Sequence, residues 1–169
     1  MKLHIGGKKA KQGWKILNIQ KNENVDFVGD IQDLSQFKTE TVEIVYASHV
    51  LEHIRQHKAL DALKGIYRIL KKNGKLYISV PNMDVLCEAF IDKNLNKTQK
   101  LHVMRMIFGG QMDDYDFHYF GWNFDFMKHF LSIAGFPKCE KVESFGLFND
   151  TSNFKPYGFF ISLNIIAYK

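Results

Sequence analysis

Apolar residues in this chain fall into two kinds of grouping, short runs and helically spaced stripes. Their order predicts strands alternating with helices. The clearest run is Ile44–Ala47, nearly unbroken, as a strand covered on both faces requires. It ends abruptly in Ser48, His49, Glu52 and His53. Leu3–Ile5, Trp14–Ile19 and Val25–Gly29 predict strands before it, and Lys75–Val80, Lys141–Phe145 and Phe159–Ala167 predict strands after it. Leu60, Leu63, Ile66, Tyr67 and Leu70 recur at helical spacing and predict a helix running to about Lys72, stopped by Asn73-Gly74. Asp84–Ile91 predicts a short helix. Asn96 caps a second, with Leu101, Met104, Ile107 and Phe108 on one face, and Asn123 caps a third, with Met127, Phe130, Leu131 and Ala134 turned inward.

This alternation argues for βαβ units and a parallel sheet. The first connections, Gly6–Gly13 and Gln20–Asn24, are shorter than the dozen or so residues a parallel crossover normally takes. The fold class is therefore α/β: a Rossmann-like, doubly wound, mostly parallel sheet of about seven strands with abbreviated N-terminal helices. One face of its N-terminal half is expected to be thinly covered, a surface a homodimer could use. No repeat or linker divides the chain, so residues 1–169 read as a single domain.

Composition narrows the classes. Hydrophobic residues make up 46% and charged residues 24%, ordinary values for a globular chain. No apolar run is long enough to span a bilayer, and Met1-Lys2-Leu3 opens no signal-type segment, so a cytoplasmic setting is expected. The net charge of +5 gathers at Lys8, Lys9 and Lys11 and at Lys71, Lys72 and Lys75. Those lysines read as solvated, or as facing an anionic partner; no nucleic-acid motif accompanies them, so no nucleic-acid partner is expected. Cys87 and Cys139 stand alone and read as reduced and packed.

In open α/β sheets ligands bind beyond the carboxyl ends of the strands. Gly6-Gly7, Asp30, Ser48 and His49 stand at such ends. Asp30 could accept a hydrogen bond from an amine such as that of adenine, or cap the turn Ile31–Leu34. Neither a G-x-G-x-x-G fingerprint nor a phosphate loop is present. His49-Val50-Leu51-Glu52-His53 matches the zinc-hydrolase pattern H-x-x-E-H. That chemistry wants both histidines on one helix, whereas His49 follows a strand, so no metal site is expected. Asp116 and His118, in the aromatic stretch Gly109–Trp122, could pair as an oriented base or belong to an ordinary surface loop. His4, His57, His102 and His129 read as structural or solvated.

Taken together, the glycine turn after the first strand, GW with a short strand, GD, YASHVLEH and RILKKNGKLYISVP resemble the class I S-adenosylmethionine-dependent methyltransferases. HVMRMIFGGQ, YDFHYFGW and the closing DTS…ISLNIIAYK resemble a helix-poor branch of that family often seen among genes for cell-surface polysaccharide assembly. The resemblance implies S-adenosylmethionine as cofactor, with Gly6 and Gly7 passing under it, Asn18 at its ribose, Asp30 and Ile31 flanking adenine, and Ser48 and His49 at its methionine end. Lys8 stands where the family usually has a further glycine, and Asn18 where it usually has an acid. The expected activity is methyl transfer to an oxygen or nitrogen of a small-molecule or glycan acceptor. His53, then His118, are the candidate catalytic bases, and Tyr115, Tyr119 and Trp122 a stacking surface for sugar rings. The alternatives are a binding module of the same fold that has lost catalysis, and a zinc hydrolase built on His49, Glu52 and His53.

Overall fold

The computed structural model describes residues 1–169. Its centre is a seven-stranded sheet in the order β3-β2-β1-β4-β5-β7-β6. The strands are β1 (Lys2–Ile5), β2 (Trp14–Asn18), β3 (Phe27–Val28), β4 (Val42–Ser48), β5 (Leu70–Pro81), β6 (Lys138–Val142) and β7 (Ser162–Tyr168). β3, β2, β1, β4 and β5 run parallel; β7 runs antiparallel to both β5 and β6. The Rossmann-like, mostly parallel sheet expected from the apolar runs is thus present. Four helices accompany it: α1 (Gln56–Ile69), α2 (Met83–Ile91), α3 (Lys97–Phe108) and α4 (Phe124–Ala134).

Register divides the sheet into two unlike faces. Leu3 pairs with Val45 and Ile5 with Ala47, and these in turn meet Leu76 and Ile78 of β5. That face joins Leu63 and Ile66 of α1 and Met127 and Leu131 of α4 in one apolar core. The opposite face carries His4 opposite Tyr46 and Tyr46 opposite Tyr77. No helix is needed over these rings, because Phe145 of the loop after β6 meets Tyr46 and Tyr77 edge to face and Phe148 lies tilted on Tyr46 and His4. The N-terminal half is better covered than its short connections suggest. Buried Ile31, Leu34 and Phe37 fill the place of a helix, held down by the Arg68 guanidinium, which donates to the carbonyls of Leu34 and Phe37. Ile19 and Val28 stay exposed toward that edge.

Several elements differ from the periodicity. α1 ends at Ile69 rather than near Lys72, because the amides of Glu40 and Thr41 donate to the carbonyls of Arg68 and Ile69 and Leu70 pairs with Val42. Asn73, at φ 65°, forms an irregularity within β5 instead of a helix stop. β6 lies at Lys138–Val142, three residues earlier than expected at its start, because an edge strand paired only to β7 shows no apolar alternation. β7 opens at Ser162 rather than Phe159. On α3 only Val103 is buried, while Leu101, Met104 and Phe108 face solvent, since α3 packs on α2 and not on the sheet. The caps agree with expectation. Asn96 and Gln99 bond reciprocally at the start of α3, Asn123 accepts from the Phe126 amide, and Gly135 ends α4 in the left-handed region. No helix is long and apolar enough to cross a membrane.

Candidate active site

A cleft of about 600 Å³ opens at the carboxyl ends of β1, β2 and β4, a volume ordinary for a small-molecule site. Its wall includes Gly6, Asn18, Asp30, Ile31, His49 and His53, so six of the nine residues singled out from the sequence meet there. Gly6 has φ 78°, and a Cβ on it would lie 2.5 Å from Cγ2 of Val50, so only glycine fits this turn. Gly7 does not line the cleft; a Cβ there would strike the imidazole of His4 at 2.8 Å, which makes its smallness a packing requirement. Ser48 also turns away, because residues two apart share a face and it lies on the side of Tyr46 and Asp150.

Asn18 is used internally. Its Nδ2 donates to the Gly7 carbonyl (2.9 Å) and its Oδ1 accepts from the Gln20 amide (2.9 Å), fastening the end of β2 to the glycine turn. One amide hydrogen remains for a ligand, and no lone pair is presented in the manner of a free carboxylate. Asp30 serves both roles considered for it: it borders the cleft, and it caps the turn by accepting from the amide and side chain of Gln32. Ile31, buried beside it, offers a flat apolar surface.

At the other end of the cleft β4 turns sharply. His49 sits at φ 53°, its amide donating to the Ser79 carbonyl, and a single turn of 3-10 helix, Leu51–His53, follows. The H-x-x-E-H residues are therefore not on one helix, and the zinc-hydrolase arrangement does not form. The centre of the group is Glu52, only 1% exposed. His49 Nδ1 lies 3.1 Å from its Oε1. The other nitrogen of His49 meets Ser162 Oγ at 2.9 Å; that hydroxyl gives its own hydrogen to the Thr151 carbonyl, so it accepts from His49 Nε2. Burial pushes the Glu52 carboxyl up, but the imidazoles of His49, His53 and His118 outweigh it and hold it below the usual range.

His118 comes from the aromatic loop, whose return over the site is set by the amides of Tyr119 and Phe120 donating to the Glu52 carbonyl. Its ring meets that of His53 edge-on, centroids 4.7 Å apart. Burial, ahead of the opposing pull of Glu52, keeps His118 below the ordinary imidazole range. Its Nδ1 bonds the Met106 carbonyl at 3.0 Å, so the expected partnership with Asp116 is not made; Asp116 instead accepts from the Met112 amide. Trp122 is fully buried against Phe120 and Phe130 and cannot stack on a sugar, whereas Tyr115 and Tyr119 are about half exposed and line the cleft. Sequence reasoning missed Glu52 as the hub, and Lys8, Gln20 and Arg55 as wall residues. A glutamate directly before a histidine at a strand end was the one available signal for the first. Arg55 lies over the Tyr119 ring, 5.1 Å from its centroid.

Residues 8–78 match the model of a family described as a methyltransferase domain. No curated protein matches the chain. Among solved structures, a SAM-dependent methyltransferase from Archaeoglobus fulgidus superposes with a TM-score of 0.59 at 17% identity, over 99% of this chain and 85% of that one. A SAM-dependent methyltransferase from Thermotoga maritima gives 0.61 at 15%, over 99% and 81%. A chain solved in complex with the Haloferax volcanii Trm112 methyltransferase activator gives 0.60 at 15%, also over 99% and 81%. At such identities the likeness is one of fold: from end to end, this chain is built on the architecture of the SAM-dependent methyltransferases.

Proposed function

We propose that the chain is an S-adenosylmethionine-dependent methyltransferase acting on a small-molecule or glycan acceptor. The observation that carries this reading is the composition of one cleft. A glycine turn that admits no side chain, the carboxylate of Asp30 and the apolar Ile31 border it at one end, and His49 and His53 border it at the other. The cleft fits a nucleoside cofactor: Gly6 lets a ligand approach the backbone, Asp30 can accept from an amine, and Ile31 can cover a flat ring. Asn18 keeps one amide hydrogen for a ribose hydroxyl. When bound, S-adenosylmethionine supplies a methyl group on a positively charged sulfur, already a good leaving group, so positioning carries much of the catalysis.

On the acceptor side, an oxygen nucleophile must shed a proton as it attacks. His53, which borders the cleft, is the group this chain offers there, with His118 packed against it. Exposed Tyr115 and Tyr119 can stack on a sugar ring. On this reading the chain works in the cytoplasm on a precursor of a cell-surface polysaccharide. The engaged amide of Asn18 and the cleft-lining Lys8 favour, as the second reading, a module that binds a nucleoside without turning it over.

Calorimetric titration with S-adenosylmethionine is the first test. The wild-type chain should release binding heat, and Gly6→Val should weaken binding by roughly 10-fold or more, about 1.4 kcal/mol. A folded wild-type chain that gives no heat with millimolar cofactor ends the proposal. Binding without transfer of labelled methyl to any sugar acceptor supports the module.

A further inference from the structure

We propose that Glu52, His53 and His118 hold a divalent transition-metal ion beside the cleft, and that the acceptor is a hydroxyl compound that reaches this ion. One ligand atom from each residue lies within 4.8 Å of those of the other two. Atoms bonded to one such ion at about 2.0–2.2 Å sit about 3–4 Å apart, so a small side-chain shift closes the set.

The hydrogen bonds behind the cluster say what it lacks. His53 Nδ1 lies 3.1 Å from the Phe117 carbonyl and His118 Nδ1 lies 3.0 Å from the Met106 carbonyl. A carbonyl only accepts, so each Nδ1 carries the hydrogen and each Nε2 keeps its lone pair. A ring nitrogen backed in this way by a carbonyl is the usual support of a metal-bound histidine. Glu52 adds a carboxylate that is almost wholly out of water, and its Oε2 has no hydrogen-bond partner. Oε1 faces His49, which leaves Oε2 free. Two imidazoles, each with one uncommitted nitrogen, and a carboxylate with a free oxygen therefore stand together, an arrangement a cation completes. Two nitrogens and one oxygen suit zinc, manganese, iron or cobalt better than magnesium or calcium. Asp113, Asp114 and Asp116 line the adjoining cleft and draw cations toward it.

His49 takes no part, because both its nitrogens are engaged by Ser162 and Glu52. The sequence motif is thus divided: Glu52 and His53 are kept and His118, far along the chain, replaces His49.

Three protein ligands leave coordination positions open, and His53 borders the cleft. There the ion would acidify an acceptor hydroxyl in place of base catalysis by His53 and His118, whose one free lone pair each it would occupy. The O–H bond breaks and its proton passes to water in the cleft; the oxygen pair forms the bond to the methyl carbon, and the carbon–sulfur pair stays with sulfur. The choice of acceptor rests on the methyltransferase reading; the metal site does not.

The test uses the full chain, stripped with chelator and titrated separately with zinc, manganese and cobalt salts. One equivalent should bind, and His118→Ala should weaken it by more than roughly 100-fold, beyond what loss of a supporting partner costs. The cobalt-loaded wild type should show visible bands distinct from those of aqueous cobalt, a readout that needs no variant to fold. Absence of stoichiometric metal, a cobalt spectrum equal to the aqueous ion, or undiminished binding by a folded His118→Ala chain overturns the site. Parallel titration with S-adenosylmethionine separates the two claims. Metal without cofactor binding leaves the site standing and ends the acceptor assignment; cofactor without metal binding ends both and leaves the methyltransferase reading standing.

Discussion

Glu52 is a buried carboxylate and Asp150 a half-buried one, and their surroundings are opposite. Asp150, under the loop after β6, accepts from the Tyr46 hydroxyl at 2.8 Å and from the Ser152 amide at 2.9 Å. Burial raises its carboxyl, and the bonds from Ser152 and Tyr46 more than reverse that. His4, Trp14 and Phe148 close around the pair. Glu52 is more deeply buried and faces three imidazoles; its Oε1 meets His49 Nδ1 at 3.1 Å, and its Oε2 has no partner. A satisfied buried network fixes structure; an unsatisfied one costs stability and persists where something else uses it. Asp150 belongs to the first kind, locking the loop that stands in for a helix. Glu52 belongs to the second.

The largest expected effect follows directly. Tyr46→Ala removes a fully buried ring and leaves Asp150 without its hydroxyl donor; it should cost about 3–5 kcal/mol in urea unfolding at neutral pH. Glu52→Gln keeps the shape of the side chain and gives up only the contact of Oε1 with His49; it should cost less, about 1–2 kcal/mol. A Glu52→Gln loss exceeding that of Tyr46→Ala would break the contrast.

The histidine packed beside Asp150 adds a pH dependence to that region. His4 is held at about 4, first by burial among the rings and against the partial pull of Asp150. Unfolded, it titrates near 6.5. Between these values the unfolded chain binds more protons, so stability rises with pH across the window and is lost as pH falls from 6.5 toward 4. His4 alone contributes up to about 3 kcal/mol of that slope. His4→Phe should flatten the stability profile between those pH values relative to wild type. An unchanged slope would mean that the imidazole is solvated, not packed.

How legible these regions were depended on whether the signal was local. The glycine turn at Gly6 and the caps at Asn96 and Asn123 are set by residues within a turn of one another, and all three could be read directly. The parallel core strands were legible because Ile44–Ala47 is buried on both faces. α3 was misread because a stripe of Leu101, Met104 and Phe108 records spacing, not what lies opposite; in the cluster with α2, Val103 is fully buried and Met106 and Ile107 are partly so. The meeting of His53 with His118 depends on a loop return fixed by the Tyr119 amide on the Glu52 carbonyl, a contact between segments remote in sequence. Glu52 and each histidine could be singled out alone, but not their meeting.

Asn18 sharpens the contrast with the smallest effect. The family habit of an acid at this position suggests that Asn18→Asp would improve the cofactor site. The hydrogen bonds argue otherwise: Nδ2 donates to the Gly7 carbonyl, and an aspartate would set a carboxylate oxygen against that carbonyl. The Gln20 amide could still donate to the other oxygen, so only one of the two ties is lost. We expect a stability loss of about 1–2 kcal/mol, and weaker binding of S-adenosylmethionine as the Gly6-Gly7 turn loosens. Unfolding and calorimetric titration of the same variant read both quantities. Unchanged stability with tighter binding would show that residue 18 serves the ribose directly and that its bond to Gly7 is incidental. In that event the family's acid would be compatible with this turn, and the departure at Asn18 would no longer count toward the binding-module reading.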